Sequence, residues 1–227
     1  MKRSVLCSLA AVMMFGLAGC GGGDGSSAEV TTFEATVVGD GGESGKLSVT
    51  IEAKIPRGVS LAAGSEVKDT ATAYGTYTLV GGGTFSLTGE FHFPTNAVAL
   101  SGRGYAFTAG IKGEEMSCTY TGPDVGGACV GYDSTTHIVK RYNGTHSAGA
   151  GKKGIFNMTI SIDGSTGTIY GLGDNRTEIR GTLNGNNISA RAGSVAITGI
   201  MNGDFVSGTF VNPTNPKDHG TWEGSSF

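Results

Sequence analysis

Several things are scarce in this sequence. Proline is rare, with 5 in 227 residues. Charged side chains make up only 15% of the chain and tryptophan occurs once. Beyond the first twenty positions, no stretch of a dozen residues repeats its apolar side chains at the 3.6-residue helical period, so no helix is predicted there. Basic residues are not in surplus, with 16 against 19 acidic ones. That balance argues against nucleic acid as a partner, because a phosphate backbone calls for a basic patch. There is no Gly-x-Ser-x-Gly elbow, no His-Glu-x-x-His and no phosphate loop. The sequence therefore nominates no catalytic residue, no metal ligand and no cofactor, and the expected body is non-enzymatic. His92, His137, His146 and His219 are scattered and read as surface polar residues. Glu114 and Glu115 are adjacent, so in a strand they point to opposite faces and cannot share one substrate. Asp163-Gly164-Ser165 and Asp174-Asn175 are turn formers that lack the acidic spacing of a calcium loop.

What is present begins at the amino terminus. Lys2 and Arg3 precede an apolar core of about 13 residues from Val5 to Leu17, too short for the roughly 20 needed to span a bilayer as a helix. It ends in Leu17-Ala18-Gly19-Cys20. This stretch resembles the lipobox of bacterial lipoproteins, with Gly19 and Cys20 flanking the cleavage point. The resemblance covers only residues 1–20. It implies a thioether-linked diacylglycerol on Cys20, cleavage before it, and acylation (palmitate or a similar chain) of the new amino terminus. The alternative is an ordinary secretory signal with a chance Cys at the cut. Two or three acyl chains hold a protein durably, whereas one holds it marginally. Gly21 stands where Asp in enteric lipoproteins retains them at the inner membrane, so the resemblance points to the outer membrane. The face on which the body lies, periplasmic or exposed, stays open. Loss of residues 1–19 takes away Lys2 and Arg3 and no acid. The 16 basic residues become 14 against 19 acidic, a net charge of −5.

The expected organisation is a leader over 1–19, a lipidated Cys with a flexible Gly/Ser linker over 20–29, a first β unit over 30–135 and a second over 136–227. Residues 30–227 as one domain is the alternative. Apolar and polar residues alternate strictly over Leu47–Ile55, Phe85–Phe93 and Phe156–Ile162, which is the signature of strands with one buried face. Gly39-Asp40-Gly41-Gly42, Gly81-Gly82-Gly83, Asn184-Gly185 and Asn202-Gly203 supply the turns. Gly89, Gly181 and Gly199 fall on inward rows, where a missing side chain lets a sheet bend or another backbone approach. The fold class is all-β: an antiparallel up-and-down meander closing into a β-barrel or a strongly curled sheet. A Tyr/Gly/Thr strand followed by an alternating one occurs at Tyr74–Leu87 and again at Tyr142–Met158, as two related β units or a single sheet of similar hairpins would both produce.

Cys7 lies in the leader and Cys20 is the lipid site, which leaves Cys118 and Cys129. An even pair in an oxidising compartment is expected to form a disulfide, with free thiols or a metal pair as the alternatives. The Gly/Thr-rich strands from about Tyr142 to Trp222 resemble the small β-barrels of bacterial surface lipoproteins of the transferrin-binding-protein type. That resemblance implies an exposed binding barrel and carries no residue-level site. The expected partners are the membrane, through the lipid, and an unidentified protein, glycan or small molecule. Tyr74 and Tyr132 are candidates for a contact surface. A second reading is a barrel that carries a small apolar ligand, with inward Phe and Tyr lining a pocket. A third is an integral outer-membrane barrel, suggested by the terminal Phe227.

Overall fold

The computed structural model describes residues 26–56, 69–149 and 151–227. The lipobox residues Gly19 and Cys20 lie outside them. So does most of the long connection after Pro56.

The described chain is an antiparallel meander that closes twice. The first barrel comprises β1 (Ser26–Gly39), β2 (Ser44–Pro56), β3 (Thr70–Leu79), β4 (Thr84–His92), β5 (Ala97–Gly102), β6 (Tyr105–Lys112), β7 (Glu115–Thr121) and β8 (Gly126–Asp133). Each strand pairs with the next, and β1 closes on β8 from Phe33↔Asp133 to Gly39↔Gly127. The second comprises β9 (Ile138–Ala148), β10 (Lys153–Asp163), β11 (Thr166–Gly173), β12 (Glu178–Asn184), β13 (Asn187–Ala192), β14 (Val195–Asn202), β15 (Phe205–Asn212) and β16 (Asn215–Ser226), with β16 closing on β9. Closure removes the unpaired edges that an open sheet would present. Among the described residues the only helical segments are the 3-10 turns Phe93–Thr95 and Asp174–Arg176.

The all-β barrel meander expected from the sequence is what the chain forms, and it forms two of them. The Tyr/Gly/Thr echo does not mark equivalent positions, however. Its first copy is the third and fourth strands of one barrel, and its second copy is the first and second strands of the other. Pro213 to Pro216 spans a tight turn and the start of β16.

The alternating rows point inward as expected. Leu47, Val49 and Ile51 of β2 and Leu87 and Phe91 of β4 are buried in the first barrel, while Ser86, Thr88 and Glu90 face water. Aromatic rings fill one end of this interior. Tyr77 is fully buried, with Tyr105 at 5.1 Å and Phe107 at 5.2 Å between ring centroids, and Phe107 stacks on Tyr120 at 5.0 Å. Burial above all, then the neighbouring Tyr120, pushes the Tyr77 phenol well above its ordinary pKa. Cys118 and Cys129 stand opposite each other on β7 and β8, with Cα atoms 4.9 Å apart, and are joined by a disulfide. Both are buried, so the bridge braces the core from inside.

Glycine is required where strands approach closely. A Cβ on Gly89 would strike the Ala99 carbonyl, and one on Gly181 would strike the Ser189 carbonyl and Ala190. These inward glycines let neighbouring strands coil as a narrow barrel demands.

The two barrels pack through β1 and β8 of the first against β9, β10 and β11 of the second. Val38, Ala128, Val130 and Tyr132 meet Tyr170 and Leu172 in an apolar centre. Tyr132 is therefore no surface residue. It is 3% exposed and stands edge-on to Tyr170 at 6.4 Å, which corrects its expected place on a contact surface. β8 explains why: Gly127 to Tyr132 are buried on both strand faces, one face by the barrel's own interior and the other by the second barrel.

Polar links complete the contact. Thr159 donates its hydroxyl to the Val130 carbonyl at 3.1 Å and lies 3.2 Å from the Thr36 hydroxyl. The Asn157 amide donates to the Val37 carbonyl. Arg141 pairs with Glu34, and Arg180 donates to Glu115 at 2.7 Å while lying over the Tyr170 ring. A buried polar atom without a partner is costly, so these pairs permit only a narrow set of dockings.

Candidate ligand site in the second barrel

The second barrel holds an open cavity. Its volume is about 250 Å³, and it opens where β9 meets β10, β11 meets β12, β13 meets β14 and β15 meets β16. The opposite end is closed. There the Tyr142 hydroxyl donates to the Gly203 carbonyl at 2.9 Å, and Ile160, Ile169, Leu183 and Ile188 fill the interior.

Alternation along the strands builds the site. Phe156 and Met158 project inward from β10, Ile179 from β12, Phe210 from β15 and Trp222 from β16, and all line the cavity. Phe156 and Trp222 meet edge to face at 5.5 Å. Trp222 is held by its indole N–H, shared between the carbonyls of Thr198 at 3.2 Å and Thr209 at 3.3 Å. Two glycines make room for these rings. A Cβ on Gly144 would enter the Phe156 ring, and one on Gly199 would enter that of Trp222.

The mouth is polar, with His146, Lys152, Asp174 and Asp218 on the lining. His146 Nε2 bonds Asp174 Oδ2 at 2.8 Å, and Asp174 Oδ1 accepts the Ile155 backbone N–H at 2.9 Å. The His146 ring stands edge-on to Phe210 at 5.8 Å. Gly154 lies opposite His146 in the ladder, and a Cβ there would collide with both His146 Nε2 and the Asp174 carboxylate. Glycine at position 154 leaves the space that the pair occupies. Asp174 opens a 3-10 turn in which Asn175 and Arg176 both adopt left-handed backbone, at φ 53° and 59°. Thr177 fastens that turn by donating its hydroxyl to the Asp174 carbonyl at 2.8 Å.

The expected surface histidine at position 146 is thus corrected: it is a cavity residue held by a carboxylate. Its inward position was readable, since Tyr142, Gly144 and His146 share one strand row. Asp174, 28 residues away, gave no sign beyond turn formation. His92 is exposed, 4.0 Å from Glu90. Tyr74 is 40% exposed and donates to Glu52 at 2.9 Å on the first barrel, remote from the cavity. Among the described residues no cluster of three or more His, Cys, Asp or Glu could hold a metal ion. Among the same residues no helix is long and apolar enough to cross a membrane.

No protein-family model matches the chain, and comparison with curated proteins and with solved structures finds no significant match.

Proposed function

We propose that the protein is a lipid-anchored lipoprotein of the bacterial outer membrane whose body is a non-enzymatic binding module, with a small and largely apolar ligand held in the second barrel. The observation that carries the binding reading is the cavity of about 250 Å³ inside the second barrel, apolar within and polar at its mouth. An apolar cavity of about 150 Å³ accommodates one benzene ring. A cavity of this size suits a substituted ring or a compact chain of roughly ten non-hydrogen atoms.

The lipobox supports the anchor, and the direction of β1 fits it. The strand runs from Ser26, next to the Gly/Ser linker, to Gly39. The following residue, Asp40, grips Arg176 beside the cavity mouth. A strand of 14 residues spans roughly 45 Å at about 3.3 Å per residue. The tether thus leaves from the end far from the mouth, which leaves the mouth open while the lipid holds the membrane. An integral barrel fits less well. The apolar rows face the interiors and Thr, Ser and Glu face outward, the reverse of a barrel that meets lipid.

Trp222 is the single tryptophan and lines the cavity. Titration with toluene should shift its one indole N–H resonance in a saturable way. An unmoved signal up to the solubility limit of toluene would exclude the cavity as an apolar site. For the anchor, cells fed labelled palmitate should mark the wild-type chain and not Cys20→Ser. Equal labelling of both would sink it.

A further inference from the structure

We propose that the closed end of the second barrel is a membrane-resting face, with Ile138, Ile200 and Phe205 entering the bilayer surface beside the lipid tether. This rests on the lipid-anchor reading and adds the surface on which the anchored body lies.

Among the described residues these are the three most exposed large apolar side chains, at 66% for Ile138, 51% for Ile200 and 66% for Phe205. The strand register gathers them round one turn. Met201 and Val206 pack into the barrel core, so Ile200 and Phe205 share the outward row of the β14–β15 hairpin. Ile200 stands opposite Ser207 and Asn202 opposite Phe205, which makes the two apolar side chains diagonal neighbours. Gly203, in the turn between these strands, accepts hydrogen bonds from Lys140 Nζ at 3.2 Å and from the Tyr142 hydroxyl at 2.9 Å. Those bonds tie the turn to the beginning of β9, where Ile138 stands opposite half-buried Ile162. Single exposed apolar residues are ordinary on a protein surface, whereas a group of them at one end calls for a partner.

The path of the chain names that partner. The Ser134 N–H donates to the Thr32 carbonyl at 2.7 Å, and β9 starts shortly afterwards, packed beside β1. From Thr32, β1 runs back past exposed Val30 to Ser26. Only Gly21 to Gly25 then separate Ser26 from Cys20. Five fully extended residues reach at most roughly 18 Å. A lipid on Cys20 therefore keeps this end of the body close to the bilayer, while Asp40 and Arg176 mark the cavity mouth at the other end. The rim of the patch carries Asp163 and Asp204 against one cation, Lys140, so an anionic surface would repel it. The contact is apolar insertion into a zwitterionic bilayer, which removes one phenylalanine and two isoleucines from water.

The experiment puts an indole at the face. The full chain with Phe205→Trp is purified from membranes and reconstituted in phosphatidylcholine vesicles, with and without bromine on the acyl chains. Bromine quenches an indole that enters the bilayer. The unsubstituted chain gives the baseline from buried Trp222, and Val80→Trp, in the β3–β4 turn beside Ser44, is the control at the opposite end. Brominated lipid should lower the added signal of Phe205→Trp at least about twofold and leave that of Val80→Trp unchanged. The quenching should persist in about 1 M salt, which screens charge contacts. Ile138→Ser with Ile200→Ser, both at exposed positions, should remove most of it with little effect on stability. An unquenched Phe205→Trp signal on vesicle-bound protein overturns the face and leaves the anchor standing. A dimer in detergent that the two serine substitutions dissociate would give the patch to a second copy, and overturns it as well. If the chain takes up no palmitate and stays free of vesicles, the anchor reading fails and the face falls with it.

Discussion

Arg176 and Asp40 join the two barrels beside the cavity mouth through a two-pronged contact, Nε to Oδ1 at 2.8 Å and Nη2 to Oδ2 at 2.6 Å. The hydrogen bonds from Arg176, helped by its charge, hold the Asp40 carboxyl below the usual carboxylate range. A depressed carboxyl adds stability above its unfolded pKa and loses it as pH falls through the lowered folded value. The pair is exposed, so solvent screens it. Asp40→Asn should therefore leave the urea midpoint near neutrality almost unchanged and make its fall towards about pH 3 shallower. Parallel acid limbs in the two proteins would contradict this.

The phenols titrate at the other end of the scale. Burial, then the charge of Asp204, pushes Tyr142 up to about 12. Burial first, then a hydrogen bond to Glu178, does the same for Tyr170, also to about 12. A raised folded pKa means that the stability is fully present below the unfolded value near 10 and is lost as pH rises through the folded one. Stability should fall steeply between about pH 10 and about pH 12. Tyr142→Phe should flatten that slope, as measured by urea midpoints alongside phenolate absorbance.

Glu34 and Arg141 form a largely shielded pair between the barrels, with side chains 22% and 18% exposed. Desolvation is the largest influence on Arg141 and lowers its pKa, and Glu34 opposes that shift. Removal of the acid alone strands the guanidinium. Glu34→Ala should cost about 1–3 kcal/mol, whereas the double change Glu34→Leu, Arg141→Met should recover most of it. A double variant as unstable as the single one would show that the loss comes from packing.

The disulfide closes a short loop, with Cys118 and Cys129 separated by 11 positions. Loop closure of that length contributes about 3 kcal/mol in the chain-entropy account. Cys118→Ala with Cys129→Ala should lower stability by about 2–4 kcal/mol. The drop should appear in the unfolding of the first barrel, read by tyrosine fluorescence at the Tyr77 cluster. A drop confined to the Trp222 signal would place the brace elsewhere.

Local chemistry made much of the fold legible. Alternation fixed which side of Leu47–Ile55, Phe85–Phe93 and Phe156–Ile162 is buried, because side chains alternate faces in every strand. Glycine-bearing turns set where strands end, and the Cys118–Cys129 pair needed only an oxidising setting and proximity. Lys2 to Cys20 suggest an anchor on composition and motif alone. Other features depend on surfaces that meet only after folding. Alternation says that a face is buried but not what buries it. Tyr132, on the outer face of β8, therefore read as exposed until the second barrel covered it. Closure at β1–β8 and β9–β16 depends on strand coiling and close backbone approach summed over a whole sheet, which no single segment records. The His146–Asp174 pair brings together the ends of two separate hairpins through the space left at Gly154. The tertiary structure alone decided that the second barrel keeps an open cavity. Whether inward side chains meet across a barrel depends on their summed volume against its bore, which is a property of all eight strands together.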